Sequence, residues 1–260
     1  MNEELLLKYN RQLSRSEPIT YEGVCLYPVK FRDYEIYQTY AHCLVLNPIY
    51  YPDMTLSTLP RLYFLTEIFK HVEDKEYAEA HPKLRRYVIE LYGILTLVLR
   101  EQKFGFEPNS SGMFCLRVYN GADNENSIVI NAKKFDTMRE IILLQNNTFY
   151  DDTYIHPDIQ KWIEVQKEAE QRKNKGITET LEDKIEALML EMKEPNESFL
   201  DDMSIRRVER LLEKTVNREL YQAQLAGMMS GMVKFDTQPT SWITTKPKQT
   251  DFERYLKELK

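Results

Sequence analysis

His81–Gln102, HPKLRRYVIELYGILTLVLREQ, is the stretch that decides the first half of the chain. From Tyr87 to Leu99 apolar side chains occupy nearly every side of the helical wheel. A helix of this kind belongs in the middle of its domain, because it has no face to give to water. The flanking segments must therefore supply its cover.

Upstream, PITYEGVCLYPVKF starts at Pro18 with Ile19 and Tyr21 alternating against Thr20, and resumes with Val24 and Leu26 after Glu22-Gly23. That pattern predicts a β-hairpin closed by a tight turn. FRDYEIYQTYAHCLVLN then repeats apolar residues at Tyr34, Tyr37, Ala41, Leu44 and Val45, the spacing of an amphipathic helix, and Asn47-Pro48 stops it. In YPDMTLSTLPRLYFLTEIFKHV, Ser57 and Thr58 are candidate caps, Pro60 falls in the first turn, and Leu62, Leu65 and Phe69 form the stripe. Downstream, MFCLRVY and IVINA make a second hairpin around the polar NGADNENS, and KKFDTMREIILLQN follows as a helix. The fold class is thus α+β and mainly helical, with residues 1–150 forming an α+β domain that holds two small β-hairpins.

YDDTYIHPDIQKWIEVQKEAEQRKNKGIT differs in kind, being dense in charge and broken by Pro157 and Gly176. Residues 151–178 read as a polar linker helix. Residues 179–260 read as a small C-terminal helical domain. There ITETLEDKIEALMLEM places Leu181, Ile185, Leu188, Met189 and Met192 on one face, with Thr178 or Thr180 placed to cap. The next segment sustains a stripe through Ile205, Val208, Leu212, Val216, Leu220, Ala223, Gly227 and Gly231. The tail carries Trp242 and a short final helix with Phe252, Tyr255, Leu256 and Leu259.

Composition excludes several functions. Net charge is −6 with a pI near 5.5, so the basic footprint that binding to nucleic-acid phosphates requires is missing. No uncharged apolar run reaches the roughly 18 residues of a membrane span, and the acidic N-terminus is no signal peptide. Cys25, Cys43 and Cys115 are odd in number and far apart, which fits reduced thiols. The eight glycines spell neither phosphate-cradling motif. His42, His71, His81 and His156 form no local zinc pattern, and the Asp151-Asp152 and Asp201-Asp202 pairs read as helix caps. No catalytic residue, metal site or cofactor is expected.

One stretch stands out, YQAQLAGMMSGMVKF from Tyr221 to Phe235. Ala223, Gly227 and Gly231 recur every four residues, which removes the side-chain ridge and lets another helix approach closely. Its apolar run is too short for a membrane. Two readings remain: Met228, Met229 and Met232 fill the core of a small bundle, or they line a groove for a helix from another protein. Methionine adapts to many shapes and favours such grooves.

Taken together, the segments PITYEGVCLYPVKFRDYEIY, INAKKFDTMREIILLQN leading to YDDTYIHPDIQKWIE, LEDKIEALMLEM leading to MSIRRVERLLEKTVNRELYQ, and GMMSGMVKF followed by SWI resemble the tail assembly chaperones of long-tailed bacteriophages. The resemblance covers most of the chain as a pattern of segments, without a catalytic signature. It implies a non-enzymatic protein of the host cytoplasm that coats and solubilises the tape-measure protein and helps recruit tail tube subunits. Coating a filament implies self-association. Partner-binding positions carried over on the matching segment are Met228, Met229, Met232, Val233, Phe235 and Trp242, beside Ala223, Gly227 and Gly231 from the small-residue face. The competing readings are a structural virion component of the tail or baseplate, an enzyme assembled from His42, His81 or His156 with carboxylates or Cys115, and a phage protein that interferes with a host factor.

Overall fold

A computed structural model describes residues 3–119, 127–152, 154, 156–173, 180–193, 196, 198–230 and 241–243. The protein is mainly helical α+β. It divides into two compact units, one formed by Met1–Tyr154 with Ser204–Arg206, the other by Ile155–Met203 with Arg207–Lys260.

The first unit opens with helices α1 (Glu3–Lys8) and α2 (Asn10–Arg15), which bury Leu5 and Leu13. Strands β1 (Ile19–Tyr21) and β2 (Val24–Leu26) pair antiparallel, with Tyr21 opposite Val24. Glu22 (φ 52) and Gly23 (φ 83) both lie in the left-handed region, the two-residue turn whose twist suits a hairpin. Neutral amides tie this hairpin to the helices. Gln102 receives the Cys25 N–H and donates to the Cys25 carbonyl, Gln145 donates to the Leu26 carbonyl, and the Val29 N–H donates to Asn146.

Helix α3 (Tyr34–Val45) precedes the short helices α4 (Met54–Ser57), α5 (Arg61–Thr66) and α6 (Lys75–Ala80). The sequence pattern treats α5 and the turn after it as one helix capped by Ser57 or Thr58 with Pro60 in its first turn. Instead α5 begins after Pro60 without a side-chain cap, Ser57 and Thr58 belong to the end of α4, and Asp53 caps α4 by accepting from the Thr55 and Leu56 N–H groups. Ser57 and Thr58 hydroxyls donate back to the Met54 and Thr55 carbonyls. Pro60 precedes α5, and Phe69 sits in a 3-10 turn, Glu67–His71. The chain breaks here because Pro60 cannot extend α4.

Helix α7 (Pro82–Leu99) is the centre of this unit, with Leu84, Leu91, Ile94, Leu95, Val98 and Leu99 fully buried. It does keep one edge in water, marked by Ile89 and Tyr92. α3 lies close enough that a Cβ on Gly93 would sit 2.4 Å from the Tyr40 ring, so glycine is what permits this approach. Strands β3 (Lys103–Pro108), β4 (Phe114–Tyr119) and β5 (Ser127–Ile130) form an antiparallel sheet in the order β3-β4-β5. β3 is an addition to the expected second hairpin. Its register places Phe104 and Phe106 opposite Val118 and Leu116 on the core face. On the other face Arg117 bridges Glu107 on β3 and Ser127 on β5.

Helix α8 (Ala132–Gln145) is capped by Asn131 and buries Phe135, Met138, Ile141 and Ile142. Arg139 is buried on this helix, donates to the Leu44 carbonyl and forms a two-pronged pair with Asp152 at 2.7 and 3.0 Å. Arg61 adds a third bond to Asp152 at 2.9 Å. Burial, reinforced by Arg139, pushes Arg61 down to about 10, so its guanidinium stays charged at neutral pH. Asp152 is therefore the counter-ion of two arginines rather than the helix cap read from the sequence.

In the second unit, α9 (Pro157–Lys173) is the polar helix that starts at Pro157. α10 (Leu181–Met192) begins with a capping box in which Thr180 and Asp183 exchange backbone bonds. α11 (Ser198–Asp201) is one turn long, and α12 (Ile205–Met229) is the longest described helix, at 25 residues. Its first two residues belong to the first unit. There the Ile205 N–H donates to the Val29 carbonyl, Ser204 forms a bridge with Lys30, and Arg206 donates to the Leu144 carbonyl.

Candidate functional site

Helix α12 forms because its sequence is free of proline and of long β-branched runs for seven turns, with apolar residues at three- and four-residue spacing. Its stripe changes character along its length. Ile205 and Val208 are fully buried and Leu212 is half-buried. Val216 is then 61% exposed and Leu220 54%, and Ala223 is exposed.

Two polar ties of α12 inside its own unit come from the opposite side. Lys214 Nζ donates to the Ile243 carbonyl at 2.6 Å, and the Arg218 guanidinium pairs with Glu191 on α10. Both lie two residues from Val216, about 200° round the helix. Leu211, Tyr221 and Leu225, near that side, are half-buried. The stripe from Val216 to Ala223 is thus an open apolar face on a helix fastened by its back.

Of the residues singled out in the sequence, Gly227 is half-buried, Met228 is 39% exposed and Met229 is 88% exposed. These two methionines do not fill a core. Trp242 is half-buried, next to Ile243 where the chain meets Lys214. Gly231, Met232, Val233 and Phe235 lie outside the described residues.

The residues of the competing enzyme reading are dispersed. His42 Nδ1 lies 3.1 Å from Glu90 Oε2, and Arg86 Nε reaches the other carboxylate oxygen at 2.6 Å. Glu90 is buried, so these partners supply the compensation that a buried carboxylate requires. Sequence reasoning misses this pair because its members are 48 positions apart; the one available signal is Glu90 itself, the sole charge between Tyr87 and Leu99. Cys43, beside His42, is no nucleophile. Burial, then the Glu90 charge, pushes its thiol far above the ordinary range. Burial, then Glu90, also pushes the neighbouring Tyr87 hydroxyl up.

His81 Nδ1 meets the Tyr51 hydroxyl at 3.2 Å, and His156 meets Asp158 at 3.5 Å on the surface. Cys115 is buried, beside Tyr63. Among the described residues, no group of three or more His, Cys, Asp or Glu is placed to hold a metal ion, and no helix is long and apolar enough to cross a membrane.

Comparison of the chain with known protein families, with curated proteins and with solved structures found no match.

Proposed function

We propose that this chain is a non-enzymatic phage tail assembly chaperone that acts in the host cytoplasm. Its work is to bind and solubilise the tape-measure protein and to help recruit tail tube subunits. The observation that carries the binding part is the open face of α12, where Val216, Leu220 and Ala223 are exposed to solvent. The name of the partner rests on the resemblance of the chain's segments to the chaperone family.

Apolar side chains at Val216, Leu220 and Ala223 match a partner that offers its own apolar helical face, the helix-in-groove mode of recognition. The small Ala223 and Gly227 let the two backbones approach, and the flexible thioether of Met228, at the flank of that face, adjusts to an irregular partner surface. Binding by this route masks hydrophobic surface and makes or breaks no covalent bond.

The test is co-expression with the tape-measure protein. The native chain is expected to bring that protein into the soluble fraction, and Val216→Asp with Leu220→Asp to lose the effect while the chain itself stays folded by circular dichroism. Retained solubilisation by the double variant would remove α12 from the mechanism. Abundance of the chain in purified virions would favour a structural component of the tail or baseplate instead.

A further inference from the structure

The three-stranded sheet of the first unit has an open edge. Among the described residues, β3 pairs with β4 alone. Which of its main-chain groups face that edge follows from the turn beyond it. The Asn109 N–H donates to the Met113 carbonyl at 2.8 Å, one step past the Pro108–Phe114 pair of the register. Asn109 and Met113 are thus a hydrogen-bonded pair, and such pairs alternate along an antiparallel ladder. Lys103, Gly105 and Glu107 therefore turn their N–H and C=O groups to β4, and Phe104 and Phe106 turn theirs outward. Pro108 falls in the outward set, where its missing N–H costs the ladder nothing.

We propose that β3 is a self-association strand. A second copy of this chain pairs with it antiparallel, edge to edge, about a two-fold axis at Gly105, and the two sheets join into one. β3 belongs to the first unit, and its pairing does not depend on what the open face of α12 binds.

The occupant follows from the strand itself, because Lys103-Phe104-Gly105-Phe106-Glu107 complements its own reverse. Centred on Gly105, Phe104 faces the copy's Phe106 and Phe106 the copy's Phe104, so the outward-facing residues meet in hydrogen-bonded pairs. On the other face Lys103 stands opposite the copy's Glu107, and Glu107 opposite the copy's Lys103, an isologous match of opposite charges. Lys103 is exposed, and the Glu107 carboxylate is already held at 2.6 Å by Arg117 and at 2.6 Å by the Tyr119 hydroxyl. Moving the register by two residues, the smallest step that keeps side chains on their faces, sets Lys103 or Glu107 against Gly105 and leaves the other without an opposite charge.

Space and apolar surface agree. Gly105 sits on the axis in a non-hydrogen-bonded pair, where strands come closest, and a Cβ built on it meets nothing within 4 Å. On the core side Phe104 and Phe106 are half-buried, with the Tyr92 ring 5.7 and 5.2 Å from theirs and the Phe69 ring 5.7 Å from that of Phe106. The copy's phenylalanines extend this row of rings, and aromatic pairs across strands stabilise a sheet.

The experiment is disulfide trapping in the full chain with Cys25→Ser, since Cys43 and Cys115 are buried. Gly105→Cys is expected to give a covalent dimer under mild oxidation, because Cα atoms at such a pair lie within disulfide range. The control, Lys103→Cys, puts its two thiols roughly 13 Å apart along the strands and is expected to stay unlinked. A second readout is the dimer dissociation constant by sedimentation. Lys103→Glu meets the copy's Glu107 twice and is expected to weaken the dimer about tenfold. Mixing it with Glu107→Lys restores both opposite-charge pairs and is expected to recover association. Equal cross-linking of both cysteine variants, none by Gly105→Cys, a native chain that stays monomeric as its concentration rises, or a dissociation constant unmoved by Lys103→Glu overturns the proposal.

Discussion

Helices α7 and α12 are both rich in apolar residues, and the protein uses them in opposite ways. α7 spreads its apolar residues round the axis and is packed by α3, α5 and the first hairpin until Leu91, Ile94, Leu95 and Val98 lose all contact with water. α12 confines them to a stripe, buries only the first two turns of it, and leaves Val216 and Leu220 more than half exposed. One hydrophobic pattern builds a core, and the other leaves surface that is costly in water unless something covers it. The contrast separates residues that hold this protein together from residues it offers to others.

The strongest way to break that contrast is to truncate both helices. Leu95→Ala is expected to cost about 2–5 kcal/mol in urea unfolding, the loss for a fully buried leucine, whereas Leu220→Ala should stay within about 0.5 kcal/mol. Equal losses would mean that the α12 stripe is core after all. Gly93→Ala comes next, at about 1–3 kcal/mol, because the new methyl meets the Tyr40 ring and α3 must shift. A thermal melt unchanged by this substitution would show that the α3–α7 seam yields freely.

Thr180→Ala is a smaller change, about 1 kcal/mol from the loss of the α10 cap, read as reduced helicity and faster amide exchange at the start of α10. The smallest effect belongs to Asp136. Burial holds its carboxyl above the ordinary value, with Arg61 and Arg139 opposing and Asp152 and Glu140 adding to the shift. The folded state therefore binds the proton more tightly than the unfolded state, and stability falls as pH rises from the ordinary carboxylate value through the raised one. Asp136→Asn should raise Tm slightly at neutral pH and lose that advantage in acid. A gain that grows on acidification would reverse the assignment.

The sequence carried the elements whose signals are local. Glu22-Gly23 announced its turn, α3 and α12 their periodicity, α7 its all-round apolar surface, and α10 a cap at Thr178 or Thr180, since each depends on residues within a few positions of one another. β3 escaped because KFGFEP contains a glycine and a proline and reads as a loop; pairing along all of β4 makes it a strand. The Arg139, Arg61 and Asp152 cluster and the His42–Glu90 pair depend on contacts between distant segments, as does the return of Ser204 and Ile205 to Lys30 and Val29. Periodicity marked the stripe on α12 but gave no account of which part would stay open, because that depends on where Glu191 and Ile243 attach.

The first hairpin is seated on Gln102, Gln145 and Asn146, side chains that carry no charge at any pH the cell visits. Mobile ions weaken attachments made by opposite charges and have far less hold on carboxamides. In concentrated brine the hairpin should therefore keep its grip while the Arg218–Glu191 tie behind α12 loosens. Two regions of one molecule would answer the same salt in different ways.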